Sequence, residues 1–254
     1  MKIAQSKNRA FRLHGYGGPE MIQLDEISVP TPGPGQVLVS VKAVGVNTLD
    51  WKLREGFLRE GFPLPLPAIL GVEFAGVVVE LGSEVKQSAV GDRVMTLLHG
   101  LGAYAEYIVV DESILCPIPE ALSDVEAAAL PISVQTAWEA LLAAGEPRPG
   151  MKVLIQGGAG AVGGFAVQFA KSAGAKVIVT ASAKNHDYVM ALGADEVIDY
   201  RTERFEDRVK DVDLVLDFVG GEIIDRSWSV LASGGAQVTV NSPDIGAKAP
   251  SGFI

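Results

Sequence analysis

The spacing of hydrophobic residues changes part-way along the chain. In the first half, "VLVSVKAVGVN" places Val37, Val39 and Val41 on one side of an extended segment and Ser40 and Lys42 on the other. A period of two predicts a half-buried strand. Further strands are predicted at 73–82 and 103–111, and "GDRVM" between them predicts a turn that leads into a strand. Short strands separated by Gly and Pro are typical of a small barrel or sandwich.

The second half alternates apolar strands with helical segments. Ser123 and Glu126 have the spacing of a capping box at a helix start, and Pro131 divides this helical region into two. The strands are predicted at 151–156, 176–182, 196–200, 213–220 and 236–241, and the helices between them at 161–173, 185–192, 204–210 and 222–231. This alternation predicts an α/β fold with a parallel sheet and helices on both faces. We therefore expect two domains, at 1–122 and 123–254.

Composition narrows the classes of function. The chain has 254 residues, 48% of them hydrophobic, and a formal net charge of -10. That charge disfavours nucleic acids and anionic membranes as partners. No segment has the pattern of a signal peptide or a membrane helix, and Cys116 is the single cysteine, so we expect a cytoplasmic protein without disulfides.

A glycine motif indicates a nucleotide. Gly158, Gly160 and Gly163 spell G-x-G-x-x-G after a predicted strand and at the start of a predicted helix. Glycines allow the backbone to turn tightly and to approach a pyrophosphate, which the free N–H groups of the helix start would bind. The alternative is a packing turn that binds no ligand.

The end of the next strand distinguishes between the two nicotinamide cofactors. Sites selective for NAD usually have Asp or Glu there, about 20 residues past the glycines, and it bonds the adenosine ribose. This chain has Ser182 and Lys184 instead, which favour a 2′-phosphate, so we expect NADPH as the cofactor. The alternative is that Ser182 caps the next helix and Lys184 is a solvated surface charge.

A metal is not expected. Catalytic zinc needs three ligands and structural zinc usually four close cysteines. The chain has one cysteine, and its histidines lie far apart, at His14, His99 and His186.

Several further motifs, read in order, resemble the medium-chain dehydrogenases and reductases, in their zinc-free quinone oxidoreductase branch. They are "VGVNTLDWKLREG", "PAILGVEFAGVVVELGSEV", "GAYAEY", "LPISVQTAWEALL", "LGADEVIDY" and "VDLVLDFVGG". The resemblance implies a GroES-like catalytic domain followed by a Rossmann domain, with the cofactor in the cleft. It also implies hydride transfer from NADPH to a quinone or an α,β-unsaturated carbonyl compound, such as an enal or enone.

The resemblance also assigns roles to residues. Asn47, where the zinc-dependent branch has Cys, would lie near the nicotinamide and the substrate. Thr136 would reach the ribose-phosphate region. The turn around Ala161 and Val162 would contact the pyrophosphate. Ser182, Lys184 and Tyr200 would surround the 2′-phosphate. Val219 would line the cofactor groove.

Asn47 is the candidate catalytic residue. Hydride addition to an enal leaves an enolate, and the Asn47 amide would donate a hydrogen bond to its oxygen while water supplies the proton. The alternative is that Asn47 only stabilises a turn at a strand end. Asp50 is expected to cap a short helix.

Members of this branch usually continue for several dozen residues, so the resemblance implies that the last strand or strands of the Rossmann sheet are missing. Segment 236–241 would then be a sheet edge. Family dimers pair through the missing strand, so a homodimer is an open expectation. Two alternatives to a quinone or enone reductase remain: a non-catalytic NADPH-binding sensor or scaffold, and a zinc-free reductase of another carbonyl compound.

Overall fold

The fold is that of a computed structural model, which describes residues 7–143, 145 and 147–241. The chain divides into two compact units, Met1–Ile132 and Ser133–Ile254. The division lies later than the predicted boundary at 122/123. The reason is that residues 127 and 128 pack against Ala75 of the first unit, so the segment after 122 completes that unit's core.

The first unit is rich in antiparallel strands. Its elements are β1 (Lys7–Leu13), β2 (Ile22–Ser28), β3 (Gln36–Val44), α1 (Thr48–Glu55), β4 (Ala68–Ile69), β5 (Glu73–Leu81), β6 (Arg93–Leu97), β7 (Tyr107–Asp111), β8 (Cys116–Pro117) and α2 (Asp124–Ala128). They form a five-stranded sheet in the order β7-β3-β5-β6-β8 and a three-stranded sheet in the order β2-β1-β4. A buried cluster centred on Phe74, Val37 and Val39 fills the larger sheet's core side.

The predicted strands of this half are confirmed, with one shifted boundary. The segment predicted as a strand at 103–111 forms β7 only from Tyr107. Before it, the N–H groups of Ala103 and Tyr104 bond to the carbonyls of Gly71 and Leu70, so this stretch packs on the loop after β4.

Both predictions for the helical region are confirmed. The N–H of Glu126 donates to Ser123 Oγ at 3.2 Å, and Glu126 Oε2 accepts the N–H of Ser123 at 2.8 Å, which completes the capping box of α2. The helix then ends before Pro131, where α3 (Pro131–Ala143) begins. Asp50 likewise caps α1, because its Oδ2 accepts the N–H of Asn47 at 2.8 Å.

The second unit is a doubly wound parallel sheet, as predicted. Its elements after α3 are β9 (Lys152–Gln156), α4 (Ala161–Ser172), β10 (Lys176–Ala181), α5 (His186–Ala191), β11 (Glu196–Asp199), α6 (Phe205–Arg208), β12 (Val212–Asp217), α7 (Glu222–Ser227) and β13 (Leu231–Thr239). The strand order is β11-β10-β9-β12-β13, and every pair is parallel. Val153 and Ile155 enter one buried cluster and Leu154 enters another, so both faces are covered.

The last strand differs from its prediction. β13 begins at Leu231, whereas the sequence predicts a helix through 231 and a strand at 236–241. Gly234 has φ +78, and the pairing with β12 shifts register between Val212 and Leu214. The glycines therefore form an irregularity within a longer strand, where the sequence pattern predicts a break. In the described part of the chain β13 is one of the two edge strands of this sheet, and β11 is the other.

Candidate functional site

The glycine turn between β9 and α4 packs closely on a side chain of β10 and on its own backbone. Gly157 has φ +77, a conformation that favours glycine. A Cβ on Gly158 would lie 2.2 Å from Val179 of β10, and one on Gly163 would lie 2.4 Å from the Gly157 carbonyl. These positions need glycine for packing alone. The alternative of a packing turn therefore accounts for Gly158 and Gly163.

Gly160 is different, because its environment is open. A Cβ there would meet only the Gly157 carbonyl, at 3.4 Å. Gly160 is the N-cap of α4 and supplies no side-chain cap to the helix start. The first N–H groups of a 12-residue helix thus lie beside an exposed glycine, an arrangement that binds anions such as pyrophosphate.

A pocket of about 490 Å³ lies at the carboxyl ends of the parallel strands of the second unit. β9 and β12 are neighbours there although they are far apart in sequence, and ligands of open α/β sheets bind at such crossover points. The pocket is lined by Gln156, Gly157, Ala159, Gly160, Thr180, Ala181, Ser182, Asn185, Tyr200, Glu203, Phe205, Val219, Glu222, Ile223 and Arg226.

Four of the predicted cofactor-binding residues meet in this pocket: Gly160, Ser182, Tyr200 and Val219. Five others do not line it, namely Gly158, Ala161, Val162, Gly163 and Lys184. The first four of these belong to the turn and the first turn of α4. Lys184 is exposed in the short 3-10 turn Ala183–Asn185. Thr136 is half-buried on α3 and does not line the pocket either.

Polar side chains that the sequence analysis missed shape the pocket. Thr180 Oγ1 donates to Gln156 Oε1 at 2.7 Å and accepts the N–H of Gly157 at 3.1 Å, which ties the glycine turn to the end of β10. Fully buried Asp217 accepts the N–H groups of Val219 and Gly220 at 2.9 and 3.0 Å. That turn exposes Val219. The sequence signal that could have identified these residues is the polar side chain at or near the end of each apolar strand.

The charged groups of the pocket are mostly paired. Arg226 donates Nε and Nη2 to the two carboxylate oxygens of Glu206 at 2.6 and 2.8 Å and lies over the Phe205 ring, 5.0 Å from its centroid. This pairing lowers the pKa of Glu206 to about 2. Glu203 forms an ion pair with Arg208. The pocket therefore combines an aromatic and aliphatic wall with neutral hydrogen-bonding groups at the end of β10.

In the first unit, Asn47 is held at both ends by buried carboxylates. Its main-chain N–H donates to Asp50, and its side-chain Nδ2 donates to Glu73 Oε1 at 2.8 Å. Asp50 and Glu73 are 3% and 2% exposed, whereas Asn47 is partly accessible. The candidate catalytic amide is thus fixed by β5 and by the start of α1.

Burial raises the pKa of Glu73, and the N–H groups of Ile132 and Asn47 oppose that rise. Because the folded-state pKa lies above the unfolded value, the folded state binds this proton more tightly. The stabilisation from this group is therefore present at acidic pH and is lost as the pH rises through the raised pKa. A second group near Asp50 is shifted in the same direction: burial and the charge of Asp50 raise the pKa of Tyr104.

The first unit contains a separate, apolar pocket of about 560 Å³. It is lined by Leu49 and Leu53 of α1, by Phe57, Leu58 and Phe62 of the segment after α1, and by residues 97–101. His99 is the one titratable residue among those that line it. Such a lining suits an apolar, uncharged ligand.

Comparison with known proteins agrees with this architecture. The model of the alcohol dehydrogenase GroES-like domain matches residues 33–120, and that of the zinc-binding dehydrogenases matches residues 161–252. The solved quinone oxidoreductase of Coxiella burnetii is 36% identical, with a TM-score of 0.88 over 95% of this chain and 78% of that chain. The chain belongs to the medium-chain dehydrogenases and reductases, in their quinone oxidoreductase branch.

Two other relatives in this family carry functional names. Quinone oxidoreductase of Escherichia coli, solved in complex with NADPH, is 34% identical with a TM-score of 0.82, covering 91% of this chain and 72% of that chain. The chloroplastic NADPH-dependent alkenal/one oxidoreductase of Arabidopsis thaliana is 36% identical, covering 96% of this chain and 64% of the relative. This chain spans 61 to 65% of the length of the first five curated relatives.

The family has zinc-dependent and zinc-free branches, so whether this chain could hold a metal depends on its own residues. Within 7–143, 145 and 147–241, no three His, Cys, Asp or Glu side chains are grouped so as to hold a metal. Where the zinc-dependent branch has Cys, Asn47 donates a hydrogen bond to Glu73. The zinc-free site stays a prediction. In the same part of the chain, no helix has the length and apolar character needed to cross a bilayer.

Proposed function

We propose that this chain binds NADPH through its second unit and transfers a hydride from it to a quinone or an α,β-unsaturated carbonyl compound, without zinc. The observation that carries the proposal is the pocket at the strand ends. It joins an open glycine, an uncapped helix start and a serine where an NAD-selective site has an acid. The names of the Escherichia coli and Arabidopsis thaliana relatives support both the cofactor and the reaction.

The residues around the pocket fit this cofactor. Gly160 leaves room for close approach of a pyrophosphate, and the N–H groups at the start of α4 would bind it. Ser182 would donate a hydrogen bond to the 2′-phosphate. Lys184 and Tyr200, which the family resemblance assigns to the same phosphate, would also contact it. Val219 and Ile223 would pack against apolar parts of the nucleotide. NADPH supplies the reactive hydride when it is bound, so the protein's part is to bind and to orient.

The substrate side would be formed by the first unit. Asn47 would donate a hydrogen bond to the carbonyl oxygen on which negative charge develops. The apolar pocket behind α1 would bind the hydrocarbon part of the substrate and exclude water from it. Neither role requires a nucleophile or a pair of carboxylates.

The proposal is tested by following NADPH oxidation with a panel of quinones and a panel of alkenals. We expect oxidation with members of at least one panel. NADPH binding without oxidation in either panel would reject the reductase and favour a non-catalytic NADPH-binding protein. Oxidation with saturated carbonyl compounds alone would favour the other reductase alternative.

Replacing Gly160 by valine is expected to raise the Kd for NADPH about 30-fold. A Cβ at position 160 has room within the protein, and the valine side chain would occupy the approach to the start of α4. Loss of one charge-assisted contact of about 2 kcal/mol corresponds to that factor. The Kd is measured by fluorescence titration. Ser172→Val, at the exposed far end of α4, is the control and should leave the Kd unchanged. A Gly160→Val protein that binds NADPH normally would refute the pyrophosphate site.

Dialysis against a strong chelator is expected to leave the rate of NADPH oxidation unchanged. The reason is that the described residues provide no ligand cluster for a catalytic metal. The rate is compared before and after dialysis, with metal content measured on both samples. A rate that is lost on dialysis and restored by added zinc would overturn the zinc-free proposal.

The remaining expectations belong to the same proposal. We propose a cytoplasmic protein that has no nucleic-acid or membrane partner, and a homodimer stays an open expectation. The acidic net charge of -10 supports the absence of polyanionic partners.

A further inference from the structure

Glu73 is a buried carboxylate that the proposed chemistry does not use directly. It is the first residue of β5 and is 2% exposed. Its two oxygens accept separate hydrogen bonds, Oε1 from Asn47 Nδ2 and Oε2 from the N–H of Ile132, each at 2.8 Å. Both donors are therefore satisfied by one acceptor group.

The neighbouring backbone makes room for this carboxylate. Gly45 follows the end of β3, which pairs with β5 through Val44 and Phe74. A Cβ on Gly45 would lie 1.9 Å from Glu73 Oε1 and 2.6 Å from its Cδ. Any other residue at 45 would displace the Glu73 carboxylate from Asn47. Glycine at this position is explained by the space that Glu73 occupies.

The chemistry of a carboxylate fixes the orientation of the Asn47 amide. An ionised carboxylate only accepts hydrogen bonds, so the amide nitrogen must face Glu73. The main chain of Asn47 is held as well, because its N–H donates to Asp50 Oδ2 at 2.8 Å and its carbonyl accepts the N–H of Asp50 at 3.1 Å. Together these contacts hold the backbone and the side-chain nitrogen of Asn47 in place. Within the described residues, the second N–H of Nδ2 is then the donor left for a ligand.

A neutral amide at position 73 could not do the same. Glutamine has one accepting and one donating end, whereas Ile132 N–H and Asn47 Nδ2 both need an acceptor. With glutamine, either one donor is left without a partner or the Asn47 amide turns over and its oxygen, instead of its nitrogen, faces position 73. Only the carboxylate satisfies both donors and keeps the amide nitrogen in place.

We propose that Glu73 is a positioning residue for the reduction: through its hydrogen bond it holds the Asn47 amide so that the second N–H of Nδ2 points to the substrate oxygen. This role rests on the proposed function of Asn47. Glu73 itself does not contact the substrate. Gly45 also belongs to this arrangement, because the absence of a side chain at 45 leaves the space that the Glu73 carboxylate occupies.

The hydrogen bond is tested independently of turnover by NMR. The side-chain amide signals of Asn47 are assigned by their loss in Asn47→Ala. We expect one of the two N–H signals to be displaced from the position of a free amide and to exchange slowly with solvent. In Glu73→Gln and in Gly45→Ala, the displaced signal should move toward the free-amide position. Asn47 signals that are unaffected by both variants would overturn the proposal.

Matched controls separate this contact from general effects of substitution. Glu120→Gln removes an exposed carboxylate of the same unit. Gly15→Ala introduces a methyl group that meets only Met21 Sδ, at an ordinary 3.6 Å. Both controls should leave the Asn47 signals and the turnover unchanged. Thermal unfolding of every variant shows which of them are folded, and Gly45→Ala retains the charge if Glu73→Gln does not fold.

Kinetics then test the positioning role. We expect Glu73→Gln and Gly45→Ala to lower kcat about 10-fold while leaving the KM for NADPH unchanged, because misorientation of one group reduces turnover. In an Asn47→Ala background, Glu73→Gln should lower kcat no further. Losses that multiply in the double variant would show that Glu73 acts without Asn47 and would overturn the proposal. If the unaltered protein reduces no acceptor, the proposed function fails and the positioning role in reduction fails with it, while the amide signals still decide whether the Glu73–Asn47 bond exists.

Discussion

Substituting aspartate for Ser182 is expected to reverse the cofactor preference, from NADPH to NADH. Ser182 directly follows β10, is 4% exposed and lines the pocket of the second unit. A carboxylate there would repel a 2′-phosphate but could accept hydrogen bonds from the two ribose hydroxyls of NADH. Two like charges about 4 Å apart near a protein surface repel by roughly 3–4 kcal/mol, so NADPH should bind at least about 100-fold more weakly.

The measurement is the Kd of each cofactor for three proteins: unaltered, Ser182→Asp and Ser182→Asn. Asparagine has nearly the size of aspartate without the charge, so it reports the steric part of the change. We expect Ser182→Asn to weaken both cofactors to a similar and smaller extent. Added salt should partly restore NADPH binding to the aspartate variant. Equal losses in both variants would show that no phosphate is bound near Ser182.

Lys184 is the less sensitive position for this test. It is exposed and does not line the pocket, so its attraction for a phosphate would be weakened by solvent and salt. Ser182 is buried at the strand end, where a new charge is poorly screened. Removing Lys184 is therefore expected to have the smaller effect on NADPH affinity.

The elements that the sequence predicted correctly are those whose local pattern agrees with their packing. β9, α4 and β10 follow one another with a strong change of period, and residues of β9 and β10 alternate between two buried clusters. β1 was not predicted, because a polar residue occupies one of its inward positions. Asn8 is 1% exposed, and its side chain exchanges two hydrogen bonds with the backbone of Tyr107 at 2.9 and 3.0 Å.

The candidate site likewise has a part that the sequence predicts and a part that it does not. The glycine turn is local in sequence, so its motif predicts both the bend and the helix start that follow it. The Arg226–Glu206 pair and the Asn47–Glu73 bond join residues that are distant in sequence, and only the strand order brings them together. Asn47 was identified by resemblance, but nothing in its neighbourhood of the sequence indicates that a buried glutamate fixes its amide.

Replacing Asn47 by alanine is expected to lower kcat about 100-fold with little change in the Kd for NADPH. Removal of one donor to a developing oxyanion has an effect of this order in other enzymes. Alanine also removes the hydrogen bond to buried Glu73 and a favoured N-cap residue of α1, so it should cost about 1–3 kcal/mol of stability whatever the catalytic role of Asn47. A loss of thermal stability therefore does not distinguish the two interpretations of this residue, but turnover does.

Asn47→Ser separates the cap from the amide. Serine is about as good an N-cap as asparagine, but its short hydroxyl lacks the second N–H that would reach the substrate. We expect the serine variant to recover the part of the thermal stability that depends on the N-cap, but not the part that depends on the bond to Glu73, while kcat remains low. Recovery of both stability and turnover would mean that Asn47 acts only through the start of α1. In that case the carbonyl oxygen must be stabilised by another group, and the positioning role of Glu73 in the reduction would fail together with the role of Asn47.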